Sequence, residues 1–543
     1  MKRKAVAAVL TAVMVASMFT GCGSDNGSSS AKSTSAASAA NDTVDEDGKV
    51  NGIMYQEGLP LVDEGDYTFS IFCDDSSESG EFIMLDEFKK QTNVDVDLKI
   101  YPYETATERL NLDLNSGDYA DVIGGWTLSD NAILTYGVNQ GVFIPLEDYF
   151  EKYCPNISAI LDLPGVREKM TAPDGHIYTI PYVCADTTVG YSPYINTKWL
   201  ENVGMSMPTT TDEFEAVLKA FKEQDANGNG DASDEIPFST DPNNKHIEAM
   251  AGYFGLPMNK LGIAIQDEKV VYGGVSDTYR EFLSWFHKLY AEGLVDVELY
   301  TQDSSTWEGK GNQDLYGVSI AYGSNEFTGI PAAPERGDFD SLPVLNTDNG
   351  GIWLRDTEGF SVYRTQAVIT NKAEHPEIIC RWFDNAFALE NGIGCNRGPV
   401  GVIVSKEDDG YHAIDTTTLS EEDQEKYSWS NLWPQSLPKY LPADFEFVEE
   451  HPMYDEKKAT EEAYEANLTK EIIPSYWIDL DKIDTFSDTN TAIKDFFEQQ
   501  QAQFVCGELD IDNDADWQAY VDGMYSLGLE DWVATQGIEE IAK

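Results

Sequence analysis

Short apolar runs alternate along this chain with longer stretches in which apolar residues recur three or four positions apart. Tyr67–Phe72 reads as a buried strand; Phe82, Met84, Leu85 and Phe88 then follow at helical spacing. Val94–Ile100 alternates as a strand, and Leu110 with Leu114 marks a helix over 105–115. Gly117–Ile123 turns into a short buried strand with Trp126 just beyond it, and 141–153 reads as a turn and a helix. Strands alternating with helices predict a mostly parallel sheet covered on both faces. Ligands of such sheets bind at the carboxyl ends of strands, which selects Asp74, Asp75, Ser76 and Trp126.

The stretch Asp174–Asn196 breaks this rhythm. A turn at Pro173, Asp174 and Gly175 leads into a β-branched and aromatic run, Ile177–Val183, that contains Pro181. Proline removes a backbone donor, so the strand is expected at a sheet edge or bending out of it. The chain then runs extended to Tyr191 and enters a helical pattern at Thr197, as a connector between two lobes would. Beyond it, Pro208–Phe214 resembles a capped helix start with Thr211 as the cap, running to Glu223. Within 273–292, Tyr279, Phe282, Leu283, Phe286 and Leu289 mark a long helix. Val318–Tyr322 is a buried-strand pattern ending in Gly323, Ser324, Asn325 and Glu326. Residues 359–370 are strand-rich and read as a second crossing. Trp429 and Trp433 share a proline-rich loop, and the last hundred residues are helical by pattern.

At the N-terminus, Lys2, Arg3 and Lys4 precede an apolar core, Ala5–Met18, which is short of the roughly 20 residues a membrane span needs. Gly21-Cys22 follows, in the manner of a lipobox, with Phe19 where leucine is usual; residues 1–21 are therefore expected to be a lipoprotein signal peptide and Cys22 the lipidated residue. Residues 22–65 are rich in Ser, Ala, Asp and Asn and are expected to form a flexible tether. The 543 residues carry a formal net charge of −60, which disfavours nucleic acid and anionic lipid surfaces as partners. The six other cysteines are scattered and form no C-x-x-C pair; they read as small buried residues, although an exported chain could pair some of them.

One local motif carries chemistry. In Asp225-Ala-Asn227-Gly-Asn229-Gly230-Asp231, oxygen-bearing side chains stand at loop positions 1, 3 and 5, glycine at 6 and a backbone carbonyl at 7, the first half of a calcium loop. Position 12 is Ile236 instead of glutamate, so Asp234 and Glu235 would complete the shell around a structural Ca2+. The bland alternative is a solvated Asn/Gly turn.

The segments 116–123, 141–157, 174–182, 208–221, 369–384 and 507–533, in this order and behind a lipobox, resemble bacterial extracellular solute-binding proteins of family 1, the lipoprotein components of carbohydrate ABC importers. The Asp225 loop is similar to the calcium site of alginate-type members, with Asp234-Glu235 one residue later. The resemblance implies an α/β, two-lobed periplasmic-binding-protein-like clamp of type II with a helical C-terminal part. Residues 66–183 plus 367–410 would form lobe 1, and 184–360 plus 411–543 lobe 2. It also implies a monomer, lipid-anchored on the outer face of the cell membrane, that binds without chemistry and docks on permease subunits.

A sugar site needs aromatic platforms with polar edges. The expected contacts are Asp74, Asp75, Ser76 and Trp126 in lobe 1 and Tyr322 and Asn325 in lobe 2, followed by Trp353, Arg355, Trp429 and Trp433. Alternatives are a lipid-anchored glycoside hydrolase, whose paired carboxylates 96 acidic residues could supply, a surface adhesion lipoprotein, or a binder of a non-sugar solute. No nucleophile elbow, metalloprotease motif or phosphate loop occurs.

Overall fold

The computed structural model describes residues 42–75, 81–241, 246–328, 338–414, 418–442, 445, 447–448 and 452–542. The first sheet opens with β1 (Tyr67–Asp74). Phe69, Ile71 and Cys73 of β1 join one hydrophobic cluster and Phe72 another, so the strand is covered on both faces. Helix α1 (Ile83–Thr92) returns the chain to β2 (Val94–Tyr101), and α2 (Tyr103–Ser116) returns it to β3 (Val122–Gly124); both strands lie parallel to β1, one on each side. Strand β4 (Thr179–Ala185) then takes the edge of this sheet, as Pro181 requires.

The second sheet begins at β5 (Ser192–Asn196). Helix α3 (Thr211–Glu223) buries Phe214, Val217, Leu218 and Phe221, and its cap is Thr210, one residue before the expected Thr211, with the hydroxyl accepting from Glu213 N. Strand β6 (Ile236–Thr240), helix α4 (Asp277–Ala291), β7 (Tyr316–Ala321) and β8 (Phe339–Ser341) follow, giving the strand order β8-β5-β7-β6.

The chain returns to the first sheet as β9 (Phe360–Ile369), antiparallel to β3 and β4, so that sheet is ordered β2-β1-β3-β9-β4. Helices α5 (Pro376–Ala386) and α6 (Leu389–Arg397) pack on it. Helices α7 (Pro452–Tyr464), α8 (Ile483–Cys506), α9 (Asp514–Ser526) and α10 (Leu529–Thr535) form the helical C-terminal part. Phe497, Phe504, Trp517, Tyr520 and Trp532 from α8–α10 share the second lobe's core with Tyr279 and Phe286 of α4.

Two crossings run side by side. Asp186 N–H donates to Gly359 O (3.1 Å), the Thr357 hydroxyl to Thr187 O (3.0 Å), and Asp356 N–H to Thr188 O (3.0 Å). Next to them the register of β4 and β9 is broken. Tyr182 pairs with Tyr363 and Ile180 with Ala367, so Arg364, Thr365 and Gln366 all stand opposite Pro181. A residue without an N–H cannot hold the ladder there, and the resulting bulge re-aims two buried side chains. Gln366 Nε2 donates to Ser436 O. Arg364 makes a two-point contact with Asp130 (2.9 and 2.5 Å), donates to Tyr476 O (2.6 Å) and Ser475 O (3.4 Å), and lies 4.1 Å from the Trp477 ring centroid. Residues 475–478 are thus clamped to the first lobe just before α8 enters the second.

Three expected boundaries move. Residues 42–65 are not tether: Val50, Met54, Leu61 and Val62 are buried in the first lobe's core. The whole of β9, from Phe360, belongs to the first sheet, so the return starts before 367. Residues 411–442 belong to the first lobe and not the second, because Trp433 and Leu437 pack into its core and 410–413 pairs with 404–407. Cys22 and Ser76 lie outside the described residues. Cys73, Cys154, Cys380 and Cys395 are buried thiols, whereas Cys506 is exposed.

Candidate functional site

Where the lobes meet, aromatic side chains from both form one connected group. On the first lobe, Trp126 follows β3 and stands edge-on to Tyr363 (5.2 Å between centroids, 87°) and to Tyr182 (6.4 Å), while Tyr182 and Tyr363 stack as cross-strand partners (5.5 Å). On the second, Tyr322 follows β7 and meets Tyr191 edge-on (6.0 Å), and Tyr191 stacks on His246 (4.1 Å, 11°). Asp186, in the first crossing, joins the halves: its carboxylate accepts from Tyr363 Oη (3.1 Å) and from Tyr322 Oη (3.4 Å). Trp126 (46% exposed), Trp429 (59%) and Tyr322 (37%) keep ring surface open to a ligand.

The group is supported from behind. Asp74 is buried, and both its oxygens accept backbone N–H groups, from Trp126 (3.0 Å) and Thr127 (2.6 Å). Burial raises its carboxyl above the ordinary range, against the opposing pull of those donors. Gly125 (φ +133°) makes the approach possible, since a Cβ there would lie 2.3 Å from Asp74 Oδ1. Asp75, also buried, accepts from Gln435 N (2.7 Å). The Gln435 side chain donates to Trp429 O (2.8 Å) and accepts from Lys439 Nζ (2.6 Å). Lys439 lies 5.8 Å from the Tyr182 ring centroid and 5.5 Å from that of Trp429. On the second lobe Lys457 of α7 lies 3.8 Å from the Tyr322 ring centroid and donates to Gly190 O (2.8 Å). His246 has a left-handed backbone (φ +45°), and burial pulls its imidazole down to about 4, so it is neutral at pH 7.

The expected contacts therefore separate. Trp126 and Tyr322 belong to one connected group, Trp429 reaches it through Lys439, and Asn325 sits three residues beyond Tyr322 at the start of the short helix Asn325–Thr328. Asp74 and Asp75 are corrected from ligand contacts to buried supports of the Trp126 and Gln435 segments. Trp353 packs on Tyr253 and Tyr464 in the second core, and Trp433 on Trp382 and Phe88 in the first; neither presents a face to a ligand. Arg355 is held by Thr469 O (3.1 Å) and Glu465 (3.4 Å). Sequence reasoning missed Tyr182, Asp186, Tyr191, His246, Tyr363, Lys439 and Lys457. Tyr182, Asp186, Tyr191 and Tyr363 lie in the two stretches read as crossings, the one signal that could have found them; His246, Lys439 and Lys457 had none. A surface depression of about 840 Å³ on α4, between Phe254, Arg280, Trp285 and Asp512, shares none of these residues.

The Asp225 loop lies between α3 and β6. Asp225 Oδ2 accepts from Gly230 N (3.0 Å), Asn227 Oδ1 from Asn229 N (3.0 Å), Asn229 Oδ1 from Asp231 N (2.7 Å), and Glu235 Oε1 from Ala226 N (2.9 Å). Asp234 accepts from both asparagine amides (3.3 and 2.8 Å). Asp225 Oδ1 and Glu235 Oε2 are buried without a donor. Two orphaned carboxylate oxygens in a loop of hard oxygen ligands fit a calcium ion.

Compared with known sequences, residues 76–392 match the family described as bacterial extracellular solute-binding protein. The chain belongs to that family. A curated relative, the fructooligosaccharide ABC transporter substrate-binding protein FusA of Streptococcus pneumoniae, is 34% identical over 335 residues, 60% of this chain and 61% of FusA. The match thus spans about three-fifths of that relative's length. The solved structure of S. pneumoniae FusA with kestose superposes with a TM-score of 0.76 at 27% identity, covering 86% of this binding protein and 98% of FusA. Alginate-binding protein AlgQ2, solved without calcium, gives 0.72 at 22% identity over 88% and 99% of the two chains, a likeness of fold. These neighbours bear out the α/β clamp of type II with a helical C-terminal part.

Proposed function

We propose that this binding protein captures an oligosaccharide between its lobes and delivers it to the permease subunits of an ABC importer. The observation that carries the reading is the aromatic group shared by both lobes and joined through Asp186. Its open ring faces suit the apolar faces of sugar rings, and the surrounding carboxylate and phenol oxygens suit their hydroxyl edges. FusA, bound to kestose and fructo-nystose in its solved structures, supports a sugar as ligand. A ligand touching both lobes gains contacts only when they close, so it shifts the population towards the closed state. The protein acts by this capture alone, as a monomer and without hydrolysing its ligand.

Calcium is proposed as a structural ion held by Asp225, Asn227, Asn229, Asp231, Asp234 and Glu235. The orphaned oxygens favour it, as does the existence of a FusA structure with a mutated EF-hand. One experiment addresses both readings: thermal unfolding of the purified protein against kestose and a panel of other oligosaccharides, each with calcium and with chelator. A melting temperature that rises with the concentration of one glycan, together with a smaller radius of gyration in solution scattering, is expected. A flat panel overturns the sugar reading. Chelation that leaves the melting temperature unchanged overturns the metal.

A further inference from the structure

Each lobe hides one lysine behind its share of the aromatic group. Lys439 is 2% exposed and Lys457 8%. Among the described residues the hydrogen bonds of their ammonium groups go only to Gln435 Oε1 and Gly190 O, and neither forms an ion pair. Rings lie close to both: Tyr182 and Trp429 around Lys439, Tyr322 against Lys457, with acidic groups acting on each from beyond ion-pair distance. A buried cation with no carboxylate in direct contact is costly, and a methionine would fill the same space without that cost. A methionine could not attract a ring face through its quadrupole, an attraction that strengthens on desolvation and depends on where the cation lies over the ring.

We propose that Lys439 and Lys457 are positioning residues, whose ammonium groups hold the rings of Trp429 with Tyr182 on one lobe, and of Tyr322 on the other, in the orientation a sugar stacks against. The inference rests on the sugar reading of the site. Lys439 is tethered through Gln435, which also holds the Trp429 carbonyl and the Asp75 carboxylate, so one buried chain of hydrogen bonds sets the ring, its backbone and its cation together. The other titratable or charged groups acting on Lys439 are Cys395, Cys184, Arg397 and Asp75; those acting on Lys457 are Glu326, Glu456, Asp356 and Asp186.

Protonation then controls the platforms. Burial lowers both lysines to about 8, so the cations are lost between pH 7 and 9.5 and affinity falls over that window. Stability moves the other way. Lysine in the unfolded chain titrates at about pH 10.4, so from about pH 8 upward the unfolded state binds more protons, and the cost of burying each ammonium is relieved as pH rises. An alkaline loss of affinity caused by unfolding would show the opposite coupling.

The test uses the full chain with kestose as probe, in wild type, Lys439→Met, Lys439→Arg and Lys457→Met. Wild type should bind about tenfold more weakly at pH 9.5 than at pH 7. Lys439→Met should already be weak at pH 7, with a flatter profile, and Lys439→Arg, which stays charged, should restore binding and hold it at pH 9.5. Independently of any ligand, the fluorescence of Trp429, isolated as wild type minus Trp429→Phe, should shift with a midpoint near pH 8 in wild type and not in Lys439→Met. Wild-type affinity and an unchanged profile in both methionine variants, or a Trp429 signal indifferent to Lys439, overturns the inference. If no form binds kestose or any glycan of the melting panel the sugar reading fails, and the Trp429 titration still decides the positioning role.

Discussion

Trp429 and Trp433 stand four residues apart in one proline-rich loop, yet one is 59% exposed and the other fully buried. Trp433 is stacked on Trp382 (5.7 Å, 26°) and packed on Phe88, so its truncation removes core contacts. Trp433→Ala is expected to cost about 3–5 kcal/mol in urea unfolding. Trp126→Ala and Tyr322→Ala remove half-open rings from the junction of the lobes. They should weaken oligosaccharide binding at least about tenfold in calorimetry, about 1.4 kcal/mol, with little change in unfolding. If Trp126→Ala and Trp433→Ala behaved alike in both measurements, the division between platform and core would be wrong.

At the scale of elements, Pro181 does more than mark an edge. By interrupting the ladder between β4 and β9 it leaves Arg364 free to turn towards Asp130 and the carbonyls of 475–476. That guanidinium is 5% exposed and supplies the charged contact pinning 475–478 to the first lobe. Trp477 Nε1, donating to Lys169 O (3.0 Å), and the small cluster of Leu134, Ile478 and Ile483 add to it. Asp130 keeps 28% exposure, so losing its partner strands it only partly, and Arg364→Ala is expected to destabilise by about 1–3 kcal/mol. Hydrogen exchange should locate the effect: amides of 473–482 should lose protection before those of β5 and β7. Uniform loss across both lobes would deny the clamp a local role.

For the whole molecule, charge and anchorage have to be argued together. A net charge of −60 disfavours adhesion to anionic lipid through surface charge, so the proposed retention at a membrane is through a covalent lipid. Among the described residues no helix is long and apolar enough to cross a membrane. The proposed anchor is Cys22, which lies outside the described residues. Cys22→Ser should release the protein into the culture medium of its host with unchanged glycan affinity. Retention of Cys22→Ser at the cell surface would reject that site.

The alternation of strand and helix, the edge position of Pro181, the long helix on Tyr279–Leu289 and the oxygen-rich Asp225 loop were all legible in the chain. Each rests on neighbours within one element or one turn, where side-chain spacing and backbone chemistry decide the outcome. The first lobe's sheet follows from such local patterns, whereas of the second sheet only β7 was marked as a strand. The course of 411–442 does not: nothing local in that segment says which sheet it covers, and its packing against Trp382 and Phe88 assigns it to the first lobe. The site is less legible still. Tyr182 and Tyr363 are 181 positions apart, and Asp186 and Tyr322 are 136 apart. Asp74 looked like a ligand contact because it ends a strand, and became a buried support because Gly125 lets the next loop close over it. Lys439 and Lys457 resemble any surface lysine in sequence. Burial is a property of everything packed around a residue, so only the tertiary structure could decide which aromatic rings stay exposed and which lysines stand behind them.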